Sequence, residues 1–294
     1  MTTTAAGDSL IVAQITDVHL GFDRGNPDEF NRQRLDRTLR TLCEMRPRPD
    51  LLLITGDLAE EGDDADSYAR LKEAIADLPF PVHMAMGNHD SREPFLRAFP
   101  EAGHADGFVQ YAIEDFSLRI LVLDTLEIGR HGGGYCETRA AWLRARLAEA
   151  PGRPTLIVLH HPPIETGLSW MTEDPDAAWA LRLAAIMAGQ DNIVAVIGGH
   201  LHRAVITQWA GPTLAVCPST APQVALDLLP IYPEAPDGRA MIVADPPAFA
   251  LHVWNGRNLV THFDTAADHE VLASYTPRLQ PLVRLLTEER GIRP

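Results

Sequence analysis

The chain has 294 residues, a hydrophobic composition of 46% and a formal net charge of -15 at pH 7. This length fits one large domain or two small ones, and the apolar residues suffice for a sizeable core. Non-specific binding of nucleic acid rests on contacts between Lys or Arg side chains and phosphates, so a strongly acidic chain is poorly suited to it. We therefore expect no nucleic-acid polymer among its partners.

The cysteines and the N-terminal residues bear on the cellular compartment in which the protein is expected. Cys43, Cys136 and Cys217 are too widely and oddly spaced for a disulfide framework or a zinc motif. No apolar run approaches the ~18 residues of a membrane span, and the N-terminal stretch lacks the basic and apolar regions of a signal peptide. We expect a cytoplasmic protein with reduced thiols and without a membrane partner.

Five short apolar runs each lead directly into polar residues. The runs show no clear alternation, a pattern typical of strands that are buried on both faces. Layered α/β proteins place their sites in loops beyond the carboxyl ends of strands, so the polar residues should meet at one edge of a sheet. In chain order the five runs are residues 10–16, 51–55, 82–86, 155–159 and 192–198.

Helical patterns separate these strands. The first, over residues 26–45, begins with Asn26 as the expected cap, Pro27 at the first helical position and Glu29 completing a capping box. Apolar residues at helical spacing then indicate a face that packs on the core. Three further helices are predicted over residues 64–78, after Thr138, and over residues 175–187.

The second half of the chain is richer in strands. Strand-helix alternation followed by strand-rich sequence favours two packed sheets with helices outside, which is an α/β class. These strands lack the polar corners of the earlier ones, so we expect them to support the fold. They are predicted at residues 108–113, 119–124, 204–209, 213–217, 249–254 and 259–263.

The chain divides into three parts by pattern: a tail over residues 1–9, a domain over residues 10–264 and an appendage over residues 265–294. Residues 221–248 are rich in Pro and Ala and are predicted to form an irregular excursion. It would serve as a lid or as a contact in a homodimer or higher homo-oligomer. In the appendage, residues 279–286 have an amphipathic pattern that could dock as a helix.

The polar residues that follow the five apolar runs, here called the polar corners, together supply two carboxylates, one amide oxygen and four imidazoles. Nitrogen and oxygen ligands without thiolate suit divalent Mn, Fe, Co or Zn. Seven side chains are too many for one ion in an open site, whereas two ions that share a carboxylate would each receive four ligands. We expect one ion on Asp17, His19 and His202, a second on Asn88, His160 and His200, and Asp57 bridging the two.

These corners resemble the motif set of the calcineurin-like metallophosphoesterases. The matching stretches are D-x-H at 17–19, G-D at 56–57, G-N-H-D at 87–90, "HHPP" at 160–163 and "GHLHR" at 199–203. The resemblance covers roughly residues 10–264. It is closest to the bacterial class III cyclic nucleotide phosphodiesterases and the related glycerophosphodiesterases.

The resemblance implies a fold and a reaction. The fold would be a four-layer α/β/β/α sandwich of two mixed sheets flanked by helices. The reaction would be hydrolysis of a small phosphodiester by a metal-bridging hydroxide, with His89 assisting departure of the leaving group. Asn88 and His89 would contact the substrate.

The residues around His89 support a catalytic role for it. His89 follows the candidate ligand Asn88, so its ring lies close to the ions without needing to bind one. An alkoxide leaving group needs a proton, which an imidazole can supply, and Asp90 could orient the ring as a second catalytic residue. The neighbouring candidate His161 is either a support for the ligands and the substrate or a loop histidine held by two prolines.

Two departures from the family pattern bear on whether the substrate is a phosphomonoester or a phosphodiester. The stretch "GDLAEEG" at 56–62 lacks the Arg with which protein phosphatases of this family hold phosphate, and Glu60 replaces the Tyr of purple acid phosphatases. Both absences favour a diesterase, with a 3',5'-cyclic nucleotide such as cAMP as the favoured substrate. The alternatives are a glycerophosphodiesterase, a broad phosphoesterase and a non-catalytic metal-dependent scaffold.

Overall fold

A computed structural model describes residues 9–290, so most of the predicted N-terminal tail and the last four residues of the appendage lie outside the described residues. The strands are β1 (Leu10–Ile15), β2 (Leu51–Thr55), β3 (Val82–Ala85), β4 (Tyr111–Ile113), β5 (Arg119–Val122), β6 (Thr155–Val158), β7 (Ile193–Gly198), β8 (Val205–Gln208), β9 (Thr213–Val216), β10 (Gln223–Val224), β11 (Ile242–Val243), β12 (Ala248–Trp254) and β13 (Leu259–Thr265). The helices are α1 (Phe30–Glu44), α2 (Ala65–Ile75), α3 (Arg92–Ala98), α4 (Glu137–Glu149), α5 (Ala178–Met187) and α6 (Gln280–Glu289).

The strands form two mixed sheets. The first has the order β13-β12-β1-β2-β3, with β1, β2 and β3 parallel and β12 antiparallel to its neighbours. The second has the order β4-β5-β6-β7-β9-β8, with a parallel centre and antiparallel strands at both edges. The central strands are buried on both faces, as their uninterrupted apolar runs predict.

Three apolar clusters show how the layers stack. One cluster joins residues of both sheets, such as Val12, Leu53 and Ile197, and lies between them. A second packs α1 and α2 on the outer face of the first sheet. A third packs α4 and α5 on the outer face of the second sheet. The predicted four-layer sandwich of two mixed sheets is therefore confirmed.

The start of α1 differs from the prediction. The helix begins at Phe30, four residues after the predicted cap Asn26. The Glu29 carboxylate accepts hydrogen bonds from the backbone N–H groups of Gly21 at 2.7 Å and Asp23 at 3.0 Å, so it does not complete a capping box. The cap prediction was wrong because this side chain holds a loop that a local pattern does not include.

The late segments are less regular. Up to the start of β12 at Ala248, the stretch over residues 221–248 carries the two-residue strands β10 and β11, and its role as a lid or subunit contact stays a prediction. The helix α6 forms as expected, but none of its residues is buried, so it does not dock on the described part of the chain. Between residues 9 and 290, every helix is too short or too polar to cross a membrane.

Two side chains of the first sheet bring the carboxyl edges of both sheets together. The buried amide of Gln14 on β1 donates to the Thr55 hydroxyl on β2 at 2.8 Å and to the Gly198 carbonyl on β7 at 2.9 Å. The strands β1, β2 and β7 therefore end side by side, although β7 belongs to the other sheet. The polar residues that follow these three strands emerge into one small volume.

Candidate metal centre

The first group of candidate ligands comes from the ends of β1, β2 and β7. Its ligand atoms all lie within 4.8 Å of one another, and its members are Asp17, His19, Asp57 and His202. The Nε2 atoms of His19 and His202 are 3.2 Å apart, and Nε2 of His202 is 3.4 Å from Oδ1 of Asp17. These are the three residues that the sequence assigns to one ion, together with the predicted bridge.

The second group follows β6 and β7. It consists of His160, His161 and His200, again with ligand atoms within 4.8 Å of one another. Oδ2 of Asp57 is 3.3 Å from Nε2 of His160 and 3.6 Å from Nε2 of His19. Asp57 therefore lies between the two groups, in the position that a bridging carboxylate requires.

The backbone at these corners is strained. Positive φ is uncommon for residues other than glycine and costs on the order of 1–3 kcal/mol at each position. Five candidate ligands have it, at Asp17 (52°), His19 (49°), Asp57 (49°), His200 (73°) and His202 (50°). The left-handed conformation turns the chain sharply at the strand ends, and strain of this kind concentrates at functional sites.

Two glycines of the motifs allow the corners to approach closely. A Cβ on Gly87 would lie 2.2 Å from Oδ1 and 2.4 Å from the backbone nitrogen of Asp57. A Cβ on Gly56, whose φ is +101°, would lie 2.3 Å from Nδ1 of His160. Any side chain at either position would push Asp57 or His160 out of place, which explains why G-D and G-N-H-D begin with glycine.

The hydrogen bonds of three imidazoles fix their tautomers. Nδ1 of His160 bonds the Thr55 carbonyl at 2.7 Å, and Nδ1 of His202 bonds the Pro222 carbonyl at 2.8 Å. A carbonyl oxygen only accepts, so Nδ1 carries the hydrogen in both rings. Nδ1 of His19 bonds the Glu60 carboxylate at 2.8 Å in the same way. In the neutral form of each ring, Nε2 is therefore the nitrogen that carries the lone pair, and it faces the cluster.

A buried nitrogen tests whether these residues suit a metal. Nε2 of His160 is buried and has no hydrogen-bond partner among the described residues. Its nearest polar neighbours include the carboxylate oxygens of Asp57 at 3.3 Å and Asp17 at 3.9 Å, which are acceptors as well. Acceptors that face one another need a cation between them, so the donor set fits a divalent ion of the Mn, Fe, Co or Zn kind.

The charges of the cluster lead to the same conclusion. Burial would raise the pKa of Asp57, but the imidazoles of His160 and His19 hold it well below its usual value. Burial would lower the pKa of His160, but the carboxylates of Asp57 and Asp17 raise it to about 9. The two carboxylates thus stay ionised and attract positive charge, which bound metal supplies more strongly than a proton does.

His161 and Asn88 form a pair beside the second group. The Thr125 hydroxyl accepts from the backbone N–H of His161 at 3.3 Å, so its own hydrogen can go to Nδ1 of the ring at 2.8 Å. Nε2 then carries a hydrogen and donates it to Oδ1 of Asn88 at 3.2 Å. We infer that His161 orients the Asn88 amide towards the site and is not itself a ligand.

Asp90 does not orient His89. Nδ1 of His89 instead donates to the Glu60 carbonyl at 2.8 Å. The buried Asp90 carboxylate accepts from the backbone N–H groups of Leu58 and Gly87 and from the Tyr68 hydroxyl. The predicted orientation of His89 by Asp90 was wrong, because this carboxylate ties together the loops after β2 and β3, and a catalytic role for Asp90 stays a prediction.

Glu60 and His131 are further parts of the site, and no contact with a ligand is predicted from the sequence for either. The Glu60 side chain holds the ring of His19, and its carbonyl holds the ring of His89. The His131 ring centroid is 4.8 Å from that of His200. No local pattern marks either residue, since each reaches the site from a separate loop. The buried carboxylate of Asp124, by contrast, binds Arg92 at 2.7 Å and belongs to neither group of candidate ligands.

Comparison with known proteins identifies the family. The family model of calcineurin-like phosphoesterases matches residues 10–204. The chain belongs to this family. The family and the clustered Asp and His side chains together indicate a divalent metal centre. The resemblance on which the sequence analysis relies is confirmed.

Relatives of this calcineurin-like phosphoesterase carry two kinds of name. A probable glycerophosphodiester phosphodiesterase of Arcobacter nitrofigilis is 31% identical and covers 86% of this chain and 92% of its own. A 3',5'-cyclic adenosine monophosphate phosphodiesterase of Escherichia coli K12 is also 31% identical, covering 76% and 81%. In fold, a dimetal phosphatase from Danio rerio superposes with a TM-score of 0.58 at 16% identity, covering 86% of this chain and 98% of that one.

Substitutions of Asp57 and His202 test the assignment of ligands. Because Asp57 lies between both groups, Asp57→Asn should reduce the metal content of Mn-reconstituted protein far below one ion per chain. His202→Ala removes a ligand of one group only and should leave close to one ion. Elemental analysis after removal of free metal measures both, with His104→Ala as the control, since His104 is an exposed histidine outside the site. A wild-type content of one ion per chain would contradict the assignment.

Proposed function

We propose that the chain is a binuclear metal-dependent phosphodiesterase that hydrolyses a small phosphodiester. A 3',5'-cyclic nucleotide such as cAMP is the favoured substrate. The observation that carries the proposal is the position of Asp57 between the two groups of candidate ligands and beside the imidazole of His89, which is a member of neither of these two groups. The backbone N–H of that residue, His89, donates to Oδ1 of Asp57 at 2.9 Å, so ring and cluster are held together.

A cavity opens directly from the cluster. It has a volume of about 410 Å³, and His19, His89 and His202 line its inner end. This volume falls within the range of roughly 300–1,000 Å³ that is usual for small-molecule sites. A diester whose phosphate lies at the cluster would therefore place its leaving group in the cavity, beside the His89 ring.

His89 is suited to protonate that leaving group. Its Nδ1 is occupied by the Glu60 carbonyl, so Nε2 is the nitrogen available to a substrate. Burial would lower the pKa of His89, but the Asp57 carboxylate and the Glu60 carbonyl raise it above its ordinary value. As the bond between phosphorus and the leaving oxygen breaks, Nε2 can give its proton to that oxygen.

Bound divalent ions would supply an activated water and neutralise charge on the phosphate. The chain itself positions His89 as the general acid, and the side chains that line its cavity set which substrate charge is accepted. Among the described residues that line the cavity, none is Lys or Arg. A diester carries one negative charge and a monoester up to two, so a site without a cationic side chain favours diesters.

A glycerophosphodiester is the second candidate substrate. The Arcobacter relative, named as a probable glycerophosphodiester phosphodiesterase, covers most of this chain and thus supports that alternative. The E. coli relative, named for cAMP, supports the first candidate. Initial rates on both classes at one fixed concentration of Mn distinguish the two.

The absence of a cationic side chain predicts a preference between matched substrates. With added Mn, bis(p-nitrophenyl) phosphate should be hydrolysed with a higher kcat/KM than p-nitrophenyl phosphate, since only the monoester brings a second negative charge. Release of p-nitrophenolate measures both reactions in one assay. Equal or better efficiency on the monoester would support a monoesterase instead, and no turnover of either would favour a scaffold.

The role of His89 predicts a loss that depends on the leaving group. A ribose alkoxide needs a proton and p-nitrophenolate does not, so His89→Ala should lose ~10²–10⁴-fold on cAMP and much less on bis(p-nitrophenyl) phosphate. Metal content should stay near wild type, because in this proposal His89 is not a ligand. His104→Ala serves again as the control.

Two other outcomes would contradict the acid role. Equal losses on both substrates with metal retained would mean that His89 positions the phosphate. Equal losses with metal depleted would make His89 a ligand.

A further inference from the structure

The cavity beside the cluster has an aromatic and aliphatic wall. Phe22, Phe30, Trp170, Met171, Pro222 and Ile242 line it. Phe22 and Phe30 expose 72% and 53% of their surface, which is unusual for large apolar side chains beside a polar site. Such a wall gives no hydrogen bonds to the hydroxyls of a glycerol group, whereas it stacks well on a planar ring.

One of the rings is held in place by a buried cation. The guanidinium of Arg34 lies over the Phe30 ring at 5.3 Å from its centroid. Arg34 is itself fixed, because it donates to the backbone carbonyls of Thr220 and Asp245 at 2.7 Å each. Phe30 is therefore held in one orientation although half of its surface is exposed. Because the ring is already ordered, a ligand that stacks on it loses little free energy to side-chain immobilisation.

Asn31 adds a single polar group to this wall. Its Nδ2 donates to the His19 carbonyl at 2.9 Å. Since a carbonyl only accepts, this bond fixes the orientation of the amide and leaves Oδ1 as its acceptor. No group among residues 9–290 donates to that oxygen in the structure. An acceptor of fixed orientation in an apolar cavity favours a planar ring that brings an N–H donor over the same ring without one.

We propose that this cavity binds the nucleobase of the diester, a planar ring with an exocyclic amino group, and that Asn31 is the residue that selects the amino group. The ring stacks on the wall formed by Phe22, Phe30 and Trp170, and its amino group donates to Oδ1 of Asn31. This inference rests on the proposed phosphodiesterase activity. It assigns to the aromatic wall the discrimination between a nucleotide and a glycerol diester, and to Asn31 the recognition of the amino group on the ring.

The test compares two substrates that differ in one group. They are cAMP and purine riboside 3',5'-cyclic phosphate, which has hydrogen in place of the amino group. Wild-type protein should prefer cAMP by about 10-fold in kcat/KM, the usual value of a hydrogen bond that a site is left without. Asn31→Leu should bring the ratio of the two substrates close to one. Asn31→Leu also removes the hydrogen bond to the His19 carbonyl and can lower activity in that way; such a loss affects both substrates equally and cancels in their ratio.

Two further variants complete the design. Gln33→Leu, on the exposed face of the same helix, should keep the wild-type ratio. Phe30→Ala should lower kcat/KM for cAMP by about 5-fold or more while changing that for glycerophosphoethanolamine little, since only the nucleotide stacks. Should Asn31→Leu fail to fold, the wild-type ratio and the Phe30→Ala comparison still decide.

The outcomes separate this inference from the function on which it rests. A wild-type ratio near one, or a ratio that Asn31→Leu leaves unchanged, would overturn the selection by Asn31 while the diesterase activity stands. Equal losses of Phe30→Ala on the nucleotide and the glycerol diester would overturn the stacking wall. A metal-loaded protein that hydrolyses none of the diesters would overturn the proposed function itself.

Discussion

Two buried carboxylates impose the constraint on which the site depends. Asp17 and Asp57 expose 0% and 2% of their surface, and an ionised carboxylate out of water costs several kcal/mol unless it is paired and hydrogen-bonded. Backbone N–H groups of the neighbouring corners, such as that of His200, supply part of the compensation. The imidazoles supply the rest in the bare chain, and divalent ions replace their protons. The strained corners and the motif glycines follow from the need to bring these groups so close together.

The segments around the cluster are tied to it by hydrogen bonds that cross the chain. The Pro222 carbonyl fixes the ring of His202, so the excursion over residues 221–248 takes part in ordering a candidate ligand. Arg34 on α1 binds the start and the end of that excursion through backbone carbonyls. The same helix carries Asn31, which holds the His19 carbonyl. The same contacts therefore order the metal-ligand cluster and the wall of the cavity. A substitution that displaces one should also displace the other.

The sequence predicts those features of the fold and the site that depend on local patterns of apolar and polar residues. The apolar runs indicate the central strands, and polar residues at their ends indicate which side chains converge, because parallel strands end at a common edge. Contacts between distant loops leave no such signal. The Glu29 carboxylate leaves its helix to hold the loop at residues 21–23, and the Asp90 carboxylate bonds a loop thirty residues earlier in the chain. Glu60, His131 and Asn31 reach the cavity through the same kind of contact, so their places are visible only in the folded chain.

The central claim is that Asp57 is shared by two metal ions at the junction of the two sheets. Anomalous diffraction from crystals of the Mn-reconstituted protein tests it most directly. Two anomalous peaks are expected about 3.5–4 Å apart, with the Asp57 carboxylate between them. A single peak at full metal loading, or two peaks of which only one contacts Asp57, would contradict it.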